Sequence, residues 1–359
     1  MFGATRSPVP RSRQRRLRRH CFQCGFDVAI DGGVTDPTKQ RLKAYARRAY
    51  FGALVFAAAI VTWDAAVGAR RNVAPAVPRS VRGHELSCAM PNSTDRKLEM
   101  LGKLPEASGL ALSRRSPGVL WSMNDSGDTT LYALSTTGEL RGRVRVTGAT
   151  IRDWEDVSVG SCPGGSCVYV ADIGDDGAKR MQVTIYRVPE PRPNDSATAP
   201  AEAFVFDYPD KAHDAEASFV LPDQTLFVIT KGHPTVLYRA PRDVKPGASA
   251  TLTKVAELPV DQFLVDQDRK RSRITDAETT PDGAWVALRT NAELLLMRTR
   301  DLVEGKMDDV WHIDLRPFDE TQGEGVAISD SGDVYLAGEG GGHGLPGTFA
   351  HMKCELPGT

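Results

Sequence analysis

Five glutamates recur at similar intervals along the chain, each just ahead of a short apolar segment. They are Glu106, Glu155, Glu216, Glu278 and Glu324. A motif that returns about every 45–60 residues indicates an array of similar structural units. Carboxylates gathered around one axis cannot all stay ionised at low cost, so they take up protons, pair with cations or bind a metal. Ca²⁺ matches such a set, because its ligands are carboxylate, amide and carbonyl oxygens.

A second set of polar residues follows the next predicted strand of the units: Asn124, Asp125, Asp172, Lys231 and Arg289. If the units surround a channel, both sets lie at the same mouth of it. We expect Asp172 to join the glutamates as a metal ligand and the other four residues to bind a ligand. The two cations would suit a small anion. Each glutamate could equally serve only to accept backbone N–H groups from a neighbouring unit.

Two histidines fall on the same loops, so the sequence also permits hydrolysis. His213 precedes the third acidic motif, and His233 follows the next strand. A histidine beside a carboxylate can act as a general base, although both could be ordinary surface-loop residues. The sequence contains no G-x-S-x-G, P-loop or H-E-x-x-H motif. The chemistry therefore depends on how the strands place these side chains.

Short alternating strands punctuated by Gly, Asp, Asn and Pro fill the chain from residue 98, with no long helical pattern. Aligned on the acidic motif, the first four units have four strands each and the fifth has three. Residues 98–104 supply a spare strand, which would complete the last unit and remove an open sheet edge. We therefore predict an all-β, five-bladed β-propeller closed by an N-terminal strand. The insertion at 259–274 could contain extra strands, so a six-bladed propeller is the alternative.

The cysteines of this part of the chain provide a check on closure. Ring closure would bring Cys88 near Cys354, and a disulfide there would latch the ring. Cys162 and Cys167 flank a short Pro-Gly-Gly-Ser segment and can form a small hairpin bridge. Such bonds require export to an oxidising compartment.

Charge and hydropathy divide the chain into four segments. Residues 1–48 hold twelve Lys/Arg and three Asp/Glu, although the formal net charge of the whole chain is −1. A basic, disordered, cytoplasmic head on an acidic body argues against nucleic-acid binding. Residues 49–69 are predicted to be a transmembrane helix or a signal segment, 70–96 a linker and 97–359 the propeller. We expect a single-pass cell-membrane protein with the propeller outside, or a secreted one after cleavage near Ala69.

Several motifs resemble those of exported bacterial propellers of the phytase-like (esterase-like) and NHL/WD-repeat-like groups. The resemblance lies in residues 106–111, 120–127 and 324–327 and extends over most of 98–356. The Trp-Asp pair of WD repeats is absent, since Trp154 is followed by glutamate. The phytase-like resemblance implies a Ca²⁺-assisted hydrolase of phosphate or carboxylic esters. Such propellers also serve as binding platforms, so the fold does not decide the function.

Two functions therefore remain open. The first is an exported or membrane-anchored binding module, with a ligand or divalent metal at an acidic channel mouth and a small anion or a protein as its partner. The alternative is a Ca²⁺-dependent ester hydrolase in which His213 or His233 is the base. The missing nucleophile motifs favour the binding module.

Overall fold

The computed structural model describes residues 83–89, 99–266, 268, 270–341 and 345–358. The predicted basic head and hydrophobic segment, residues 1–48 and 49–69, lie outside this part of the chain. Within it, no helix has the length and apolar character needed to cross a bilayer.

Nineteen strands build the five blades in the order of the sequence. Blades 1 to 4 each have four of these strands, and blade 5 has three. Blade 1 consists of strands β4 to β7: Ala107–Leu112, Val119–Asn124, Thr130–Ser135 and Leu140–Arg145. Blade 2 begins with strands β8 to β11: Trp154–Cys162, Gly165–Asp172, Gln182–Pro189 and Glu202–Asp207. Blade 3 consists of strands β12, β13, β14 and β16: Ala215–Val220, Leu226–Thr230, Thr235–Arg239 and Thr253–Leu258.

Blade 4 begins with strands β17 to β20: Ile274–Thr279, Trp285–Thr290, Glu293–Arg298 and Val310–Asp314. Blade 5 begins with strands β21 to β23: Gln322–Ile328, Asp333–Glu339 and Gly347–Cys354. Two outer strands run parallel to the blades that they extend: β1 (Gly83–Glu85) on β20 and β15 (Ser249–Thr251) on β11. One short helix, α1 (Thr299–Leu302), and two 3₁₀ turns, Val260–Gln262 and Arg316–Phe318, complete the described elements.

The N-terminal part of the chain closes the ring. Strands β2 (Cys88–Ala89) and β3 (Glu99–Leu101) both pair antiparallel with β23, the third strand of blade 5. In this register Cys88 lies opposite Cys354, and the two form a disulfide; Cys162 and Cys167 form a second one within the described residues. The predictions of five blades and of closure by an N-terminal strand are therefore confirmed.

One detail differs from the sequence interpretation. Residues 83–89 fall within the predicted linker at 70–96, yet they form strands of the propeller, because two- and three-residue strands leave little periodic signal. The insertion at 259–274 adds no further blade: between β16 and β17 the described residues form one 3₁₀ turn and irregular segments. The alternative of six blades is therefore wrong.

The core is divided into five apolar clusters, one between each pair of neighbouring blades. The inner strands of each blade are buried on both faces, because they pack against a blade on either side, whereas outer strands such as β7 and β16 are largely exposed. The repeated tyrosine of the third strands illustrates the register. Tyr132, Tyr186 and Tyr238 each pack into the cluster shared with the preceding blade.

The inner strand of every blade carries one extra residue near its beginning. The pairing of β4, β8, β12, β17 and β21 with the second strand of the blade shifts by one residue at this point. Such a β-bulge turns the side chains that precede it away from the regular alternation. It therefore decides which residues of the acidic motif face the channel mouth.

Candidate functional site

The bulge places three of the predicted glutamates at equivalent positions. Glu155, Glu216 and Glu324 are the extra residues of β8, β12 and β21. In the other two blades the matching residues are Ser108 and Thr275. Their hydroxyls make the same contact, each donating to the backbone oxygen of the bulge residue in the next blade: Ser108 Oγ to Glu155 at 2.7 Å and Thr275 Oγ1 to Glu324 at 3.0 Å.

Glu106 and Glu278 therefore occupy other places than the sequence alignment assigned to them. Glu106 lies just before β4 at the rim, where its carboxylate accepts a hydrogen bond from Ser126 Oγ at 2.6 Å. Its backbone N–H donates to Asn124 Oδ1 at 3.3 Å. Glu278 lies three residues beyond the bulge position and is 5% exposed. Burial, followed by the charge of Asp156, raises the pKa of Glu278 well above its usual range, whereas Arg114 lowers it.

We use "acidic mouth" for the three bulge glutamates with Asp125, Asp153 and Glu339 around them. Lys231, which directly follows β13, forms an ion pair with Glu216. Burial raises the pKa of Glu324 to about 7, although a 2.7 Å hydrogen bond from Gln322 Nε2 and the charges of Lys231 and Arg289 oppose this. Burial also raises the pKa of Glu155, and the carboxylates of Asp153 and Glu324 raise it further.

The outer carboxylates of the acidic mouth are crowded as well. Burial and then Glu106 and Glu339 raise the pKa of Asp125 to about 7. Burial and then Glu324 and Glu106 raise the pKa of Glu339 to about 7. Groups from blades 1, 2, 3 and 5 thus share one electrostatic field. Burial is the first cause of each raised pKa, and the neighbouring carboxylates add to it, so these groups compete for the same cations.

A glycine lets the backbone approach this site. Gly174 follows β9, and a Cβ atom at this position would collide with the carboxylates of Glu155 and Asp153. The Gly174 N–H donates to the Asp153 carbonyl at 3.2 Å, which holds the two loops together. A larger residue at this position would have to displace the ends of these two acids.

Two residues predicted to meet a ligand or metal are engaged within the protein. Arg289 is fully buried on β18: it pairs with Glu320 and donates to the carbonyls of Gly325 and Ala337, the latter at 2.8 Å. Asp172 pairs with Arg180 Nη2 at 2.9 Å. Both ion pairs tie loops and blades together.

The two histidines lie in different surroundings. His213 Nε2 lies 3.0 Å from Asp210 Oδ1 and 2.8 Å from the Tyr238 hydroxyl, in a cluster with Tyr208 between blades 2 and 3. His233 Nδ1 lies 3.4 Å from Asp261 Oδ2. Both contacts of His213 fall on Nε2, so it lacks the arrangement of an oriented base, in which a carboxylate holds one ring nitrogen and the other reaches a reacting group.

Sequence reasoning missed a pair of aspartates that immediately follow the bulge. Asp156 and Asp276 are both fully buried. Asp156 accepts the Ser218 N–H and Asp276 accepts the Val326 N–H, each at 2.5 Å, from the inner strand of the next blade. The two groups also interact electrostatically: burial, and then the charge of Asp156, raises the pKa of Asp276 well above its usual range. Both residues belong to the acidic motifs. What sets them apart is that each is the first residue after the bulge of its inner strand.

The buried Asp156 makes stability depend on pH. Burial raises the pKa of Asp156 to about 7, against the hydrogen bond from the Ser218 N–H that lowers it. Its unfolded pKa is about 4. Below about pH 4 the group is neutral in both states, and between about pH 4 and 7 only the unfolded state gains charge, so its stabilising contribution is lost as pH rises.

We expect Asp156→Asn, which stays neutral, to become more stable relative to the wild type as pH rises from about 4 to 7. Melting temperatures measured across this range check the prediction. Asp223→Asn is the control: burial raises the pKa of Asp223, but hydrogen bonds from Thr225 and the charge of Arg242 outweigh this and lower it. Its offset from wild type should stay constant over the same range. Parallel curves for wild type and Asp156→Asn would contradict the prediction.

The mouth can be tested for a fit to Ca²⁺. Its donors are carboxylate oxygens, which suit the ion, and the buried Oε2 of Glu216 has no hydrogen-bond partner. However, Lys231 already pairs with Glu216. Nowhere in the described part of the chain are three or more His, Cys, Asp or Glu side chains arranged to hold a metal ion. In this arrangement the residues do not fit Ca²⁺.

Comparisons with known proteins add distant likenesses. No protein-family model and no curated protein matches the chain. The PQQ-bound aldose sugar dehydrogenase from Streptomyces coelicolor is 12% identical, with 72% of this chain and 98% of that one covered and a TM-score of 0.41. A gluconolactonase from Xanthomonas campestris is 10% identical, with coverage of 79% and 99% and a TM-score of 0.41. A streptogramin B lyase is 9% identical, with coverage of 72% and 98% and a TM-score of 0.36.

Proposed function

We propose that the protein is an exported binding module that accepts a positively charged group, an amine or a guanidinium of a small molecule or protein, at the acidic mouth. One arrangement carries the proposal: the bulges bring Glu155, Glu216 and Glu324 to equivalent positions of three blades, and burial raises the pKa of Glu324 and of the nearby Asp125 and Glu339 to about 7. A bound cation would stabilise the ionised forms of these carboxylates. The binding free energy would come from neutralising them.

The cations of the site support this charge preference. Lys231 pairs with Glu216, and Arg289 pairs with Glu320 while donating to two carbonyls. Positive charge that is already neutralised offers little to an anion. We therefore favour a cationic group over the small anion that the sequence suggests.

The hydrolase reading has less support. His213 is held by Asp210 and Tyr238. A nucleophilic mechanism needs a base within hydrogen-bond reach of a hydroxyl or thiol that attacks the substrate. Tyr238 is the hydroxyl that His213 contacts, and burial together with Asp210 raises its pKa, which makes it a poorer nucleophile at neutral pH.

Calorimetric titration of the full chain in a mild detergent, with spermidine as the probe, tests the proposal. We expect saturable binding that strengthens between about pH 5.5 and 8, because carboxyls with a pKa near 7 ionise over this range. Glu324→Gln should weaken binding by about tenfold, equivalent to about 1.4 kcal/mol. Glu304→Gln removes an exposed charge that pairs with Lys306, and it should leave the affinity unchanged.

Separate titrations with CaCl₂ and with inorganic phosphate distinguish the other ligand classes. Binding of phosphate without binding of spermidine would overturn the proposal. Equal loss of spermidine binding in Glu324→Gln and Glu304→Gln would also overturn it, because it would indicate attraction to the whole surface rather than to the mouth.

A further inference from the structure

Lys231 holds a central place in the electrostatics of the acidic mouth. Its ammonium pairs with Glu216 on the neighbouring strand, and the two side chains are 20% and 6% exposed. The backbone beneath it is fixed, because the Lys231 N–H donates to the Asp214 carbonyl at 2.9 Å. The side chain is therefore positioned by its blade rather than free in solvent.

The charge of this lysine reaches carboxylates of two other blades. Lys231 lowers the pKa of Glu155 in blade 2 and of Glu324 and Glu339 in blade 5, against the burial that raises all three. One ammonium from blade 3 thus serves four acids from three blades. A metal ion at a ring of carboxylates would have the same electrostatic role.

The acidic mouth also contains one acceptor oxygen that receives no hydrogen bond. Glu216 is 4% exposed, and its Oε2 atom is buried without a hydrogen-bond partner while Oε1 faces Lys231. An ammonium has only three N–H groups and one positive charge, whereas Ca²⁺ gathers about six to eight oxygens. The lysine therefore neutralises the ring only in part and leaves an oxygen that a larger cation would use.

We propose that Lys231 is a built-in counter-ion that takes the place of a divalent metal at the acidic mouth and thereby excludes Ca²⁺ from it. The inference rests on the proposed function only in that both concern the same mouth. It explains why carboxylates that suit Ca²⁺ chemically do not converge as a metal site: one of them is drawn to the lysine. By this inference, Lys231 also determines whether the acidic mouth binds a metal ion or an organic cation.

The test is Ca²⁺ titration of the full chain in detergent, wild type against Lys231→Met, with binding followed by calorimetry. Methionine keeps the length of the side chain and removes its charge. We expect Ca²⁺ affinity to rise by at least about tenfold in the variant, because ligand charge sets Ca²⁺ affinity over several decades. Lys254→Met, at an exposed lysine that pairs with Glu257, is the control and should bind Ca²⁺ no better than the wild type.

Two results would overturn the inference: wild type that binds Ca²⁺ as tightly as Lys231→Met, or a folded Lys231→Met that does not bind it. Spermidine binding by the wild type is measured in a separate titration. The proposed function can therefore fail while this inference holds, and this inference can fail while the proposed function holds.

Amine labelling followed by mass spectrometry tests the inference without the methionine variant. Lys231 should react more slowly than Lys254 in the wild type, and Glu216→Gln should speed its labelling at least several-fold by releasing the ion pair. Equal labelling of the two lysines in the wild type would contradict a fixed counter-ion.

Discussion

Replacing Arg289 by methionine should lower the free energy of unfolding by about 3–5 kcal/mol, because it leaves the charge of Glu320 buried without its partner. Arg289 is fully buried, and the side chain of Glu320 is 2% exposed. The guanidinium also donates to carbonyls of Gly325 and Ala337 in blade 5. The substitution therefore removes the main polar link between β18 of blade 4 and the neighbouring blade.

Equilibrium unfolding in guanidinium chloride measures this loss. The double variant Arg289→Met/Glu320→Gln should recover part of it, since no unpaired charge remains. Arg242→Met is the matched control at an exposed ion pair with Asp223, where the expected loss is about 0.5 kcal/mol or less. A loss of less than about 1 kcal/mol for Arg289→Met would show that the buried pair is not a structural link.

Removing the Cys88–Cys354 disulfide should have a comparable effect, of about 5 kcal/mol in the chain-entropy model. The two cysteines are 266 residues apart, so the bond closes nearly the whole propeller into a loop. Without it, strands β2 and β3 hold blade 5 through backbone hydrogen bonds and the apolar packing of Leu86 and Leu101. We expect the double serine variant to unfold at a lower denaturant concentration and to open first at blade 5.

The other disulfide provides an internal control for this prediction. Cys162 and Cys167 are five residues apart, and the same model assigns about 2 kcal/mol to so small a loop. Equal destabilisation by the two double serine variants would refute the claim that ring closure makes the first bond the stronger one. Non-reducing peptide mapping of the wild type establishes that both bonds are present before the comparison.

The architecture could be predicted because it repeats. The acidic motif, the turn residues and the repeated Tyr132, Tyr186 and Tyr238 each mark the same place in a blade, so one alignment orders most of the strands. The missing strand of blade 5 followed from counting, and the pairing of Cys88 with Cys354 followed from closure. Each of these signals is a short local motif or follows from counting strands.

The site was harder to predict because one extra residue changes which side chains face the channel mouth. A β-bulge has no strong sequence signature, so Glu278 was aligned with Glu155 where Thr275 belongs. The sequence also does not reveal which polar side chains are buried. Arg289, for example, is engaged by Glu320, which comes 31 residues later. Glu190 is a similar case, since it accepts hydrogen bonds from Trp121 Nε1 at 3.0 Å and from the Arg115 N–H at 3.1 Å. Long-range partners of this kind appear only once the blades are assembled.

The position after the bulge also limits how alike the blades can be. Each inner strand presents this residue to the next blade, and the five residues in ring order are Gly109, Asp156, Ala217, Asp276 and Gly325. A Cβ atom on either glycine would collide with the backbone of the next inner strand. The two aspartates therefore stand where the next inner strand leaves room for a side chain, and the two glycines stand where it does not. Five identical copies of blade 2 would put an aspartate where the backbone leaves no room for a Cβ atom, so blades 1 and 5 have to differ from blades 2 and 4 at this position.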